Sequence, residues 1–191
     1  MGMRGSLAHT PSWIVVMLIV LFVGSGPVQD GAAQTGALNH SPTEVVKRYL
    51  TLDSKGARLG PMSYEALTPY VGWGDDPVWG HVVVIDGFTI AEDFAQWEVV
   101  NNLEVVIPVT FTVLGSVYYE QASFVPAPAV EEVRVRVREV RNRWRIVEPV
   151  FPPHIGQKRM VNYVHQAWLD ETDVQKREQL AMLREALKKA K

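Results

Sequence analysis

The stretch 132–138 constrains the fold of this chain more tightly than any other. Glu132, Arg134, Arg136 and Arg138 alternate with Val133, Val135 and Val137. A period of two puts the valines on one side of an extended strand and the charges on the other, whereas helical spacing would scatter both. Arg141, Asn142 and Arg143 then predict a tight turn, and Trp144, Ile146 and Val147 a returning strand. A hairpin with one apolar face is marginal alone, so the chain must supply something to cover the valines. The charged row admits two readings: an anion-binding surface, or a solvated sheet face with cross-strand ion pairs. The second is expected, because charge on the outer face is what half-buried strands show.

Further strands are predicted upstream. Residues 81–91 are rich in β-branched side chains, and 96–101 read as a short strand. Residues 103–117 carry Val105, Ile107, Val109, Phe111 and Val113 on one parity, with Glu104, Thr110 and Thr112 on the other. Pro108 lies inside that run and predicts an edge, a bulge or a strand start, since it cannot donate to a ladder.

Helices flank the strands. Ser41, Pro42, Thr43 and Glu44 form a capping box with proline at the first helical position, and Val45, Val46, Tyr49, Leu50 and Leu52 follow. Gly56 and Gly60–Pro61 end that element, and a second, shorter helix is predicted through Ser63, Tyr64, Ala66, Leu67 and Tyr70. Residues 72–77 read as a loop. After Phe151, Pro152 and Pro153, an apolar stripe of Met160, Val161, Val164 and Trp168 predicts a helix. A second capping box at 172–175 opens another, with Leu180, Leu183 and Leu187 on one side and Asp173–Arg177 and Glu185–Lys189 pairs at helical spacing. The order predicts an α+β fold, with N-terminal helices packed on a curved antiparallel sheet over 41–155 and a C-terminal helical extension over 156–191.

The first 33 residues read as a secretory signal segment. Arg4 precedes an unbroken apolar run from Trp13 to Val23, Gly24–Ser25–Gly26–Pro27 breaks it, and Gly31–Ala32–Ala33 offers a small-residue cleavage site before Gln34. Eleven apolar residues fall short of the roughly 20 that a spanning helix needs. The mature protein is therefore expected to be periplasmic or secreted, in contact with a membrane only if the segment is retained as an anchor. Residues 34–40 read as a short flexible lead. Removing the segment leaves 158 residues, enough for a core of their own.

Composition excludes several chemistries. The chain has no cysteine, so disulfides, thiolate metal sites and a cysteine nucleophile fall together. The net charge of −2 offers no basic excess to hold nucleic acid. His40, His81, His154 and His165 stand in no metal-ligand spacing, and there is no G-x-S-x-G, dinucleotide fingerprint or P-loop. No cofactor or metal is expected. Acid–base work in an apolar pocket would need a buried carboxylate or histidine with oxyanion donors; Asp86, Asp93, His81 and Tyr49 are the candidates. Each has a plainer reading, respectively turn, surface, strand start and helix core. Tyr49, Trp73, Trp79, His81, Trp97 and Trp144 are candidate pocket residues, with filling of the core as the alternative.

The run SPTEVVKRYLTLDSKGARL, followed by a proline and an aromatic-rich loop, resembles the opening of proteins with the nuclear-transport-factor-2-like (SnoaL/ketosteroid-isomerase-like) fold. The closing hairpin VRVREVRNRWRIVEP resembles theirs too, and the resemblance covers about 41–150. It implies a cone-shaped half-barrel with helices on its concave side and often a pocket between. It also implies sheets that pair face to face, hence a homodimer. The superfamily includes enzymes, ligand binders and secretion-system modules, so fold does not dictate function. Three functions are expected, in this order: an exported non-catalytic domain binding a small apolar ligand or a protein partner; an envelope-complex assembly module docking through Leu180, Leu183 and Leu187; and a small acid–base enzyme of isomerase or dehydratase type.

Overall fold

The computed structural model describes residues 41–60 and 63–191, which lie in a single compact unit. The expected signal segment 1–33 and lead 34–40 lie outside the described residues. In chain order the elements are α1 (Pro42–Ser54), two 3-10 turns (Ser63–Ala66 and Thr68–Tyr70), β1 (His81–Ile90), a third 3-10 turn (Phe94–Gln96), β2 (Glu98–Asn101), β3 (Glu104–Tyr118), β4 (Ser123–Glu139), β5 (Trp144–Glu148), β6 (His154–Gly156), α2 (Gln157–Asp170) and α3 (Val174–Lys189). Among the described residues no helix is long and apolar enough to cross a membrane.

The protein is α+β, and its sheet curls into a half-barrel in the order β5-β4-β3-β1-β6, with β2 paired to β3 beyond the end of β1. The expected all-antiparallel sheet is corrected here: β6 runs parallel to β1 through Val83–His154, Val84–Ile155 and Ile85–Gly156. Parallel pairing needs a long crossover. The chain makes it by traversing β2 to β5 before returning to the free side of β1. The expected second N-terminal helix is also corrected: Ser63–Ala66 and Thr68–Tyr70 are separate 3-10 turns. Pro69 accounts for the break, since its ring excludes a helix interior.

The valine hairpin forms as its sequence predicts. Glu139 pairs with Trp144 and Val137 with Ile146. Arg141 and Asn142 both have positive φ (53° and 63°), and Val140 and Arg143 exchange backbone hydrogen bonds of 2.7 and 3.2 Å. That is a two-residue turn whose twist matches the strands. The charged face carries the expected ion pairs: Glu98 with Arg134 (2.9 Å), Glu104 with Arg136 and Arg138 (2.7 Å each), and Glu148 with Arg136 (3.3 Å).

Pro108 sits in the interior of a central strand, not at an edge, bulge or start. It pairs with Arg134 on one side, and its carbonyl accepts from Ala91 N–H on the other (3.0 Å). The N–H that proline lacks would point to the same side, where β1 ends and β2 has not begun. The carbonyl of Ala91, left without that donor, accepts from the Trp97 indole N–H at 2.7 Å. A side chain therefore closes the gap in the ladder.

Two cores lie on opposite faces of the sheet. On the concave face, Val45, Val46, Tyr49 and Leu50 of α1 pack on Val105, Ile107, Val109, Phe111, Val113, Val135, Val137 and Ile146. On the convex face, Met160, Val164, Leu183 and Leu187 of α2 and α3 pack on Val82, Val84, Leu114, Val117 and Ile155. Strand parity switches between the two at Asp86 in β1 and Gly115 in β3, where the β1–β3 and β3–β4 registers slip.

Helix-end chemistry differs in detail from the expected boxes. Ser41 is the N-cap of α1 with Pro42 behind it, yet its side chain makes no capping bond. Asp173 caps α3 through Lys176 N–H at 2.9 Å. Neither expected i,i+4 pair forms. Asp173 is committed to the cap, the Arg177 guanidinium lies over Trp168, and Glu185 takes Lys188 at 2.9 Å.

Candidate functional site

Under α1 the concave face holds an aromatic cluster around one buried ion pair. Helical spacing carries the stripe Val45, Val46, Tyr49 and Leu50 on to Asp53, which therefore enters the core with its carboxylate fully buried. Five residues on, Arg58 returns a guanidinium to it: Nε and Nη2 donate to the two carboxylate oxygens, each at 2.8 Å. Nη1 donates to the Phe151 carbonyl at 3.0 Å and to Asp76 at 3.3 Å, and the backbone N–H of His154 donates to Asp53 at 2.9 Å. The guanidinium also lies 5.8 Å from the Tyr49 ring centre. A bidentate pair with its remaining lone pairs satisfied is the arrangement in which two charges tolerate burial.

Rings fill the surrounding space. Tyr49 meets Phe151 edge-on at 5.7 Å and Trp73 at 6.4 Å, Phe151 meets Phe111 at 6.4 Å, and His154 packs on Phe111 at 4.3 Å. His154 is buried and gives Nδ1 to the Pro152 carbonyl at 2.8 Å. Burial holds its pKa below the usual histidine value. Burial likewise drives the Tyr49 hydroxyl far above its usual range, and pushes Tyr64 up to about 12. Three polar atoms in this corner have no hydrogen-bond partner: Tyr49 Oη, Tyr64 Oη and Trp73 Nε1. Tyr64 Oη and Trp73 Nε1 stand close enough for the indole to lower the Tyr64 pKa as a hydrogen-bond donor would, but the pair falls short of full hydrogen-bond geometry.

The structure brings only some of the sequence candidates together. Tyr49 and Trp73 touch, and Trp97 and Trp144 pack against the same core from its margins. Trp79 lies at Asp76, donating Nε1 at 3.4 Å, and His81 stacks on Tyr118 across the β1–β3 pair at 5.5 Å. Asp93 is exposed and caps a 3-10 turn through Ala95 N–H. Asp86 is exposed and lines an open cleft of about 430 Å3 with Lys55, Lys158, Arg159 and Asn162. A second cleft of about 480 Å3 lies between α1 and β1, with Lys47 and Glu92 paired in it at 3.8 Å. None of Tyr49, Trp73, Trp79, His81, Trp97 or Trp144 lines either cleft. Among the described residues no group of three or more His, Asp or Glu is placed to hold a metal ion.

The leucine stripe of α3 faces inward. Leu183 and Leu187 are buried on the convex core and Leu180 is half-buried beside them. Gln157 Nε2 ties the two helices further by donating to the Leu187 and Ala190 carbonyls (2.8 and 2.9 Å). Sequence reasoning passed over Asp53, Arg58 and His154 as site residues. For Asp53 the signal was legible, a charge at i+4 from Tyr49 on the buried stripe. His154 carried no local signal.

No protein-family model, curated protein or solved structure matches the chain.

Proposed function

We propose that the mature chain is an exported, non-catalytic domain of nuclear-transport-factor-2-like architecture whose ligand is a protein partner. One observation carries the reading: the concave side of the half-barrel, where such a fold would open a pocket, is packed with the rings of Tyr49, Phe111, Phe151 and His154 around a satisfied ion pair. Space so filled leaves recognition to the outer surface. Envelope-complex assembly is the context that suits an exported domain of this kind. The α3 leucines serve the chain's own core, so docking through the tail would use its other face.

The three unpaired polar atoms at Tyr49, Tyr64 and Trp73 favour a second reading, a small hydrogen-bonding guest seated in that corner. Titration with phenol and indole, followed by methyl and indole N–H resonances, separates the two. The partner reading expects no saturable shift in the concave core, and a saturable site there at millimolar concentration would replace it. Photo-crosslinking from exposed positions such as Met182, in the producing cell, supplies the positive arm. It expects a discrete conjugate in the exported fraction. Intact mass of the mature protein tests export, since a chain still carrying 13–23 contradicts cleavage.

A further inference from the structure

The outer face of the C-terminal hairpin carries a side-chain cluster that the fold does not require. The Trp168 indole of α2 is covered by two guanidiniums from α3, with Arg177 4.6 Å and Arg184 5.6 Å from its ring centre. His165 stacks beside the same indole at 5.8 Å and 14°, and its Nδ1 lies 2.8 Å from Arg184 Nη1. Since the guanidinium can only donate, that nitrogen is the acceptor. The cluster is short of negative charge. Among the described residues Arg177 has no ion pair, Arg184 reaches Glu185 only at 3.6 Å, and Glu185 is already shared with Lys188 at 2.9 Å. Arg184 Nε is buried without a hydrogen-bond partner. One helical turn from His165 lies Leu169, and one turn before Arg177 lies Val174; both are exposed, at 53% and 79%.

We infer that this cluster is the docking point for an acidic segment of a protein partner, with a carboxylate received between Arg177 and Arg184 and apolar neighbours resting on Leu169 and Val174. The inference rests on the partner-binding reading above and gives that partner a chemistry. Tryptophan and arginine are the residues that dominate protein interfaces, and a guanidinium resting over an indole is partly ordered in advance, so it loses less freedom on meeting a carboxylate. Charge favours the same partner. Residues 156–191 hold eight Lys and Arg against five Asp and Glu, in a chain whose net charge is −2. The tail is therefore net cationic, and that charge favours the approach of an acidic segment to the cluster.

The test uses blocked hexaglutamate as the probe on the whole mature chain, read by the Trp168 indole N–H and His165 ring resonances. Saturable shifts at both are expected. They should weaken at least tenfold in R177Q/R184Q, weaken as NaCl is raised from 50 to 300 mM, and be absent with hexalysine. Because Arg184 is partly buried, R177Q alone, at an exposed position, serves as the variant whose folding is safe and should weaken binding about threefold. Unchanged affinity in both variants, or shifts centred on Lys188, Lys189 and Lys191, overturns the site. Sulfate binding as tightly as hexaglutamate overturns the acidic-segment assignment in favour of a free oxyanion. Equal binding to phosphatidylglycerol vesicles, insensitive to R177Q, overturns it in favour of a lipid surface. A crosslinked partner that maps away from the hairpin, with no glutamate binding, defeats this site and leaves the partner-binding reading standing.

Discussion

Gly115 shows how one missing methylene can shape a sheet. Its φ is +146°, and a Cβ there would collide with the Val125 carbonyl and lie 2.9 Å from the Phe124 ring. The residue sits where β3 changes parity from the concave to the convex core, so the backbone of β4 must approach closely. Gly115→Ala is expected to cost about 2–4 kcal/mol, combining backbone strain with steric overlap; urea unfolding measures it, and a change within 0.5 kcal/mol would disprove the close approach. At Asp53 the argument is electrostatic. Asp53→Asn keeps the shape but takes from Arg58, with its side chain 1% exposed, its bidentate counter-ion, leaving only Asp76 at 3.3 Å. Breaking a buried pair from one side costs about 3–5 kcal/mol, so the variant should unfold at markedly lower denaturant. The double change Asp53→Leu/Arg58→Met should recover much of the loss.

At the scale of elements, two devices stand out. Trp97 restores the hydrogen bond that Pro108 cannot give, so Trp97→Phe should keep the ring and lose about 1 kcal/mol through the orphaned Ala91 carbonyl. Hydrogen exchange should report the loss locally, at the join of β1 and β2. The C-terminal hairpin is the second device. Leu183 and Leu187 cover Val82, Val84 and Leu114, so the tail is half of a core. Truncation after Pro153 also removes β6, the parallel edge of the sheet. The shortened chain is expected to be insoluble, whereas a soluble product with the parent's near-ultraviolet circular dichroism would show that the convex core is dispensable. Leu187→Ala alone should cost about 2–5 kcal/mol.

Across the whole molecule, stability should fall in two stages on acidification. His154 is held neutral by burial, with its pKa below 6.5. The unfolded chain therefore takes up a proton first. Its contribution is intact above pH 6.5 and declines as the pH falls toward the depressed folded value, by at most about 1.4 kcal/mol per pH unit. Glu104 is held below its usual 4.5 by hydrogen bonds from Arg138 and Arg136, and Glu185 by Lys188. Their contributions are present above about 4.5 and are lost as the pH drops through the lowered values. Urea titrations from pH 8 down to about pH 2 should show both declines, and His154→Phe should abolish the earlier one while leaving the later one. The arginines that hold Glu104 and the Glu185–Lys188 pair are exposed to solvent, so salt should shrink the later stage and spare the earlier one.

The alternation at 132–138, the Arg141–Asn142 turn, the parity of 103–113 and the helix starts at Pro42 and Val174 were all legible in the sequence. Each is a local relation: side chains two or four residues apart share a face whatever the rest of the chain does, and a turn or cap is closed by its immediate neighbours. The parallel return of β6 beside β1 was not legible, because three residues of strand carry no sign of which edge they will join. Nor was the inward turn of Leu183 and Leu187, since an apolar stripe looks the same whether it covers its own sheet or a partner. Local spacing predicted a pair between Asp173 and Arg177; the approach of α2 instead placed Trp168 beneath the guanidinium, and a cap claimed the carboxylate. Periodicity thus determined which faces are apolar and which are charged, while only the tertiary structure decided what each face meets, because that depends on contacts between residues far apart in the chain.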